Sequence, residues 1–355
     1  MKKWAAQKRL DGLQLSGARL LIEARTMATK MGINDFKGSP HWIFKFMKRN
    51  NLVKRAVTSV GQNLPVDWEN KLANFKDFVE RNKVDIDLSN IGNMDEVPVT
   101  FDMPTNFTIA EKGSTDIKIT TTGHEKCGFT VVLAVTADCN KLEPDIVFKR
   151  KTLPKGKFPK GIVVSANEKG WMGSAEIELW IERVWNKRSG SFFNKKSLLM
   201  LDAAPGHKTD SVKNKLKQCQ TIPAMIPGGL TKKVQVLDIS VNKSFKSKLR
   251  SRWEGWMING YKEYTTSGIM KRASYEEIVG WIFEAWKEIT VKTIKNGFLK
   301  TDINFYNEEH LDLSEDSDDE FIGSEDEDND VRLQLMDVFC DADLFLSGEE
   351  NEDEL

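Results

Sequence analysis

Three aspartates stand out by their settings: Asp95 in Asn93-Met94-Asp95-Glu96, Asp202 after Leu198-Leu199-Met200-Leu201, and Asp238 in Gln235-Val236-Leu237-Asp238. The first two close apolar, strand-like runs, and the third opens a helix-like segment. Carboxylates held at element ends and converging from distant sequence are what two-metal phosphoryl transfer needs, because paired divalent cations take oxygen ligands from several elements at once. Brought together, these three would cut or join nucleic-acid backbones. Left apart, they would leave a DNA binder without chemistry.

Charge points to the same substrate. From Glu308 to Leu355 lie 21 of the 53 acidic residues but only one basic residue, Arg332, so the first 307 residues hold 51 bases against 32 acids. A basic body with an acidic tail suits nucleic-acid binding; an ordinary basic domain with a solubilising tail is the plainer alternative. The four cysteines (Cys127, Cys139, Cys219, Cys340) form no CxxC pair, so neither a disulfide framework nor a cysteine zinc site is signalled. No apolar run approaches the length of a membrane span, and no membrane partner is expected.

The elements that must position the aspartates follow from local pattern. Residues 18–30 read as a helix ended by Gly32, and Ser39-Pro40 read as an N-cap with proline at the first helical position. In the helix that follows, Trp42, Ile43, Phe46 and Met47 share an apolar face, and His41, Lys45 and Lys48 recur at helical spacing on another. Arg49, Lys54 and Arg55 extend the basic surface. This fits a helix-turn-helix whose basic face meets phosphates or the major groove, and it equally fits an amphipathic surface helix. A short helix is expected from Trp68 to Val79. Strands are expected at 97–101, 128–135, 146–148, 162–164, 197–201 and 224–226, and helices at 175–185, 209–218, 238–257 and 275–292. Strands mixed with helices in this order indicate an α/β layer architecture. The segment from Glu308 is too charged and too poor in apolar residues to fold alone, although Val338-Phe339 and Leu344-Phe345-Leu346 give it the mixture of partner-binding tails.

With these residues in view, the chain resembles a known family. Residues 36–49 are similar to the second half of a centromere-protein-B-type helix-turn-helix. Residues 93–96, 198–207 and 228–246 are similar to the DDE endonuclease domain of pogo/Tigger-type transposases. The resemblance implies an RNase H-like mixed sheet flanked by helices, preceded by a small all-α helix-turn-helix segment and followed by a disordered acidic tail. It implies domains at 1–65 (DNA binding), 66–87 (linker), 88–300 (endonuclease) and 301–355 (tail). Asp95, Asp202 and Asp238 would be the catalytic, metal-binding triad for two Mg2+ or Mn2+ ions, and the 35 residues between Asp202 and Asp238 match the family's spacing. Double-stranded DNA would be the substrate, the nucleus the location, a homodimer the assembly, and the tail a site for protein partners. A domesticated factor that keeps the fold as a scaffold is the alternative reading. Two departures are visible: Ala203 stands where the family commonly has Asn, and Val236 where it has Pro. About one helix-turn-helix unit fits before Asn51, where related proteins carry two.

The loop holding Lys149, Arg150, Lys151, Lys155, Lys157 and Lys160 is suited to phosphate contact or nuclear import, and a merely solvated loop is the alternative. His207 trails the second aspartate and has no step assigned, a structural hydrogen bond being an equal reading. Gly228-Gly229 lacks the Lys-Ser/Thr of a phosphate loop and is expected to form a tight turn.

Overall fold

The computed structural model describes residues 1–306 apart from 11–14, 16, 34, 53–64, 66, 106, 107, 109–117, 190 and 192–195. Lys54, Arg55 and the acidic tail lie outside the described residues. The chain divides into two compact units, residues 1–63 and 64–355.

The first unit holds α1 (Lys2–Leu10), α2 (Gly17–Lys30) and α3 (Pro40–Arg49). The Ser39 hydroxyl caps α3 by accepting from the Trp42 amide at 3.2 Å, as the Ser-Pro pair implies. Between α2 and α3, the Arg25 guanidinium donates to the carbonyls of Lys37 (2.9 Å) and Gly38 (3.1 Å). Gly38 turns the chain there at φ +55, a conformation that glycine adopts without penalty. Trp42 packs edge-on to Phe36 and stacks on the buried Phe46, so the apolar face of α3 holds the unit together. Helix α1 went unread in the sequence because Lys2, Lys3, Lys8 and Arg9 mask its few apolar positions; Ala5 is buried.

The second unit is built on six strands: β1 (Ile91–Thr100), β2 (Gly128–Thr136), β3 (Asp145–Lys149), β4 (Val163–Asn167), β5 (Ser197–Leu201) and β6 (Thr221–Met225). Their spatial order is β4-β3-β2-β1-β5-β6. Only β2 runs against the rest: β1/β2 and β2/β3 are antiparallel, and β3/β4, β1/β5 and β5/β6 are parallel. The loops after β3, β4 and β5 therefore leave from the same edge of the sheet. Strand β5 is buried on both faces, as its unbroken apolar run requires.

Helices α4 (Trp68–Asn82), α7 (Thr231–Val234), α8 (Asn242–Asn259), α9 (Tyr275–Lys287) and α10 (Val291–Leu299) pack on one face, meeting Val97, Leu133, Phe148 and Met200 of the sheet. Helices α5 (Ser174–Arg183) and α6 (Asp210–Gln218) cover the other, where Trp180 and Trp185 lie against Met94, Val132 and Leu199. Gly92 is obligatory in this packing: a Cβ there would come within 2.4 Å of the Trp185 ring.

Three features of the second unit depart most from the sequence reading. The helix expected over 275–292 is two helices, because the Thr290 hydroxyl accepts from the Thr293 amide and starts α10 afresh. Residues 237–241 form a π-helical turn ahead of α8. Asp95 sits in the middle of a ten-residue strand and not at its end. Beyond Asn93, β1 is bonded only to β2, and such one-sided pairing is where a strand accommodates a proline, here Pro98.

A polar pair inside the core ties β1 to the start of α8. Asn93 and Gln235 are both fully buried. The Asn93 carboxamide donates to the Met200 carbonyl (3.1 Å) and to Gln235 Oε1 (2.9 Å), and it accepts from the Leu237 amide (3.1 Å). Gln235 Nε2 completes the set by donating to the Met94 carbonyl at 2.9 Å. Asn93→Ala would leave three buried groups without partners. It is expected to lower unfolding free energy by about 3 kcal/mol in urea titrations, whereas a loss under about 1 kcal/mol would deny the pair its anchoring role.

Candidate metal centre

Strands β1 and β5 run parallel with Asn93 opposite Met200, and two residues further along each stands an aspartate, Asp95 and Asp202. Because alternate strand residues share a face, the two carboxylates emerge side by side where the ladder ends. The helix layer brings in the third acid. Asn93 and Gln235 pin the backbone just before Asp238, and the π-helical turn carries Asp238 over β1. π turns recur at functional sites because they re-aim one side chain without ending the helix.

One turn later, Asn242 joins the first and third acids. Its Nδ2 donates to Asp95 Oδ2 at 2.7 Å and to Asp238 Oδ1 at 2.9 Å, using both hydrogens of the amide. The reverse amide orientation would set an oxygen against two carboxylates. The second acid is held from the other side. His207, 1% exposed, places Nδ1 2.6 Å from Asp202 Oδ1 and Nε2 2.9 Å from Glu96 Oε1, and the Ala204 amide also donates to Asp202 Oδ1.

The electrostatics follow from these contacts. Burial, then the negative charges of Asp238 and Glu96, push the Asp95 carboxyl well above the usual carboxylate range; the Asn242 bond opposes this and Asp202 adds to it. Burial also works against the Asp202 carboxylate, but the His207 hydrogen bond, the Ala204 amide and the charges of His207 and Lys208 outweigh it and lower its pKa. Burial disfavours the His207 cation too, yet hydrogen bonds to Asp202 and Glu96 raise its pKa to about 10. The ring is an imidazolium at neutral pH.

Glu96, Asp202 and His207 each offer a ligand atom within 4.8 Å of the others. Both nitrogens of His207 already face carboxylates, however, and a metal ligand must present a free lone pair on a neutral ring. His207 therefore acts as a counter-charge that orients Asp202. The oxygen-only candidates are Asp95 and Asp238, bridged by Asn242, with Asp202 close enough for its charge to act on Asp95; a divalent cation would relieve the crowded negative charge on Asp95. The buried Oδ1 of Asn242, which has no hydrogen-bond partner, adds a polar atom at the same place.

The sequence reading assigned no role to Glu96 or Asn242. The Asp238-x-x-x-Asn242 spacing, one helical turn, was the available signal for Asn242. Among the basic residues, His41, Lys45, Lys48 and Arg49 are exposed on α3 of the first unit. In the second unit Lys149, the last residue of β3, and Lys151, just after it, are exposed, whereas Arg150 is half-buried with its guanidinium over the Tyr275 ring. Arg150 is thus partly committed to packing.

Comparison with known proteins agrees with this organisation. The family described as "DDE superfamily endonuclease" matches residues 127–298, which include Asp202 and Asp238 but not Asp95, and "Tc5 transposase DNA-binding domain" matches residues 1–56. The human "Pogo transposable element with KRAB domain" is 33% identical over 296 residues, 82% of this chain and 49% of that protein. The mouse "Tigger transposable element-derived protein 4" is 25% identical over 308 residues, 84% of this chain and 56% of that protein. The chain thus spans about half the length of the curated relatives it matches. Among solved structures, the Mos1 transposase paired-end complex with left transposon end superposes with a TM-score of 0.53 at 11% identity, over 85% of this chain and 75% of that one. The Mos1 strand transfer complex superposes equally well, with a TM-score of 0.53 at 12% identity over 84% and 73%. At such identity the likeness concerns the fold, which is RNase H-like.

The raised His207 pKa has a stability signature. In metal-free buffer its contribution is fully present below about pH 6.5, the ordinary histidine value, and is lost as pH climbs through about 10. Chemical unfolding of wild type and His207→Asn should differ by about 2 kcal/mol or more at pH 6 and converge above pH 10. A difference that does not change with pH would refute the imidazolium.

Proposed function

Because the chain belongs to the pogo/Tigger family of transposase-derived proteins, with a DNA-binding domain ahead of a DDE endonuclease domain, we propose that its second unit is a metal-dependent DNA endonuclease with strand-transfer capacity. The observations that support this most are the Asn242 bridge between Asp95 and Asp238 and the parallel β1/β5 ladder, which sets Asp95 and Asp202 in matching positions just past its end. In this reading the three aspartates hold Mg2+ or Mn2+, the number expected for in-line displacement at phosphorus being two. Bound there, the ions would activate a water or a 3′-hydroxyl of the DNA as nucleophile and stabilise the leaving oxygen.

The chain's own groups do the rest. Asn242 sets the spacing of Asp95 and Asp238, and His207 fixes one oxygen of Asp202 so that the other stays available. Glu96 shares the imidazolium and balances its charge. The exposed lysines of the loop after β3 lie at the edge from which Asp202 emerges, suited to gripping the DNA backbone. His41, Lys45, Lys48 and Arg49 of the first unit would hold duplex DNA, with Lys54 and Arg55 extending that surface. The reading places the protein's work in the nucleus, on double-stranded DNA, and as a homodimer if two ends are joined in one reaction. The acidic tail is proposed to recruit protein partners.

The test is nicking of supercoiled plasmid carrying the genomic sequence on both sides of the gene. Nicking should require Mg2+ or Mn2+ and fall by at least about 100-fold in Asp202→Ala and in Asp238→Ala. Wild type that binds this DNA without nicking it would make the chain a DNA-binding scaffold. In parallel, Lys45→Ala and Lys48→Ala should weaken duplex binding and each reduce the dependence of log K on log salt by about 0.9.

A further inference from the structure

Of the ten tryptophans, nine are buried or half-buried, and Trp171 alone is exposed, at 56%. An indole left in water forgoes the packing that places most tryptophans inside, and nothing in the core explains this one. It does not stand on a loose segment. Asn167 Nδ2 donates to the Trp171 carbonyl at 2.8 Å, while Asn167 Oδ1 accepts from the amides of Lys169 and Gly170. The Thr130 hydroxyl donates to the Gly170 carbonyl at 2.9 Å, and the Gly173 amide donates to Glu176. Gly170, at φ +71, is pressed so closely on Lys149 that a Cβ would lie 2.8 Å from the lysine Cβ. The backbone on both sides of Trp171 is therefore clamped while its ring is offered to solvent.

The turn also reaches the loop that follows Asp202. It leaves the end of β4, at the edge of the sheet from which Asp202 leaves β5. Gly206, between Asp202 and His207, sits where a Cβ would be 3.6 Å from the Met172 carbonyl and 3.9 Å from the Gly173 carbon. The residue after Trp171 thus touches the loop that carries Asp202. Lys149, Lys169 and Lys208 are exposed around this junction, with Glu168 as the acid of the turn.

We propose that Trp171 is a stacking platform for an unpaired nucleobase of the DNA strand whose phosphate lies at the Asp95–Asp202–Asp238 cluster. A flat indole on a clamped backbone, with lysines nearby, is the combination that holds single strands, the ring taking the base and the ammonium groups the phosphates. Paired bases inside a duplex do not offer their faces, so the platform favours DNA opened at the point of reaction. The proposal rests on the DNA-cleaving reading for its role but not for its measurement.

The full chain is titrated in EDTA with a short all-pyrimidine single strand and, separately, with a blunt duplex, both followed by fluorescence anisotropy. Trp171→Ala should weaken single-strand binding about 10-fold while leaving duplex binding and the thermal unfolding midpoint essentially unchanged. Trp171→Phe, which keeps an aromatic face, should retain most of the wild-type affinity. A 2-aminopurine placed in the single strand should be quenched by wild type and not by Trp171→Ala. Unchanged single-strand affinity, equal losses on both DNAs, or Trp171→Phe as weak as Trp171→Ala would each overturn the proposal. The two readings fail separately. Selective loss in Trp171→Ala with a wild type that never nicks DNA keeps the platform and removes the endonuclease. Aspartate-dependent nicking with unchanged single-strand binding in Trp171→Ala does the reverse.

Discussion

The buried carboxamide of Asn93 is the constraint on which the site depends. Polar groups inside a core are costly unless their donors and acceptors are matched, and Asn93 achieves this by bonding three groups on two separate pieces of chain. Those groups are the Met200 carbonyl of β5, the Gln235 side chain and the Leu237 amide. Each lies within two residues of Asp202 or three of Asp238, and Asn93 itself is two residues before Asp95. One side chain therefore sets the relative positions of the three strand and helix segments that present acids. An apolar residue could fill the same volume, but it would specify none of these directions.

Around that frame the carboxylates sit in two electrostatic settings. Asp95 carries the strain of burial and like charge, relieved within the protein only by one amide hydrogen of Asn242. Asp202 is compensated by a full positive charge on His207, shared with Glu96. The pairing is economical in geometry, since the histidine takes one oxygen of Asp202 and leaves the other unencumbered. It also explains why a cluster of Glu96, Asp202 and His207 that satisfies a simple ligand distance is better understood as an ion triad: the cation is already there, and it is the imidazolium.

Much of this was legible from sequence, and the parts that were not share a cause. Strands β2, β3 and β5 were visible as β-branched or apolar runs, and the start of α3 as Ser39-Pro40. The three aspartates were singled out by local setting and spacing. What stayed hidden depends on contacts between residues far apart in the chain. Glu96 and His207 are 111 positions apart, and Asn93 and Gln235 are 142 apart. Asn and Gln near a strand and a turn read as loop chemistry until the core closes on them. The run closing at Asp95 and the strand over 97–101 are one strand, β1, and the sequence does not reveal that it continues past the acid while losing one neighbour. Trp171 looked like any other tryptophan, since exposure is a property of what fails to cover a residue.

The widened helical turn at Leu237–Val241 has a consequence for how this chain can vary in length. A π turn holds one residue more than the α-helical path over the same span, so it behaves as an insertion locked inside the helix. Upstream, the chain is fastened to β1 through Leu237, and downstream Asn242 belongs to a regular helix seated in the core. Deleting one residue between Asp238 and Asn242 would let the helix relax to α geometry with its flanks still seated, but the two residues would then stand three positions apart and not the four across which Asn242 reaches Asp238. The protein would keep its core while the bridge to its third acid lost its spacing. At this point the number of residues, more than their identity, is what the chemistry reads.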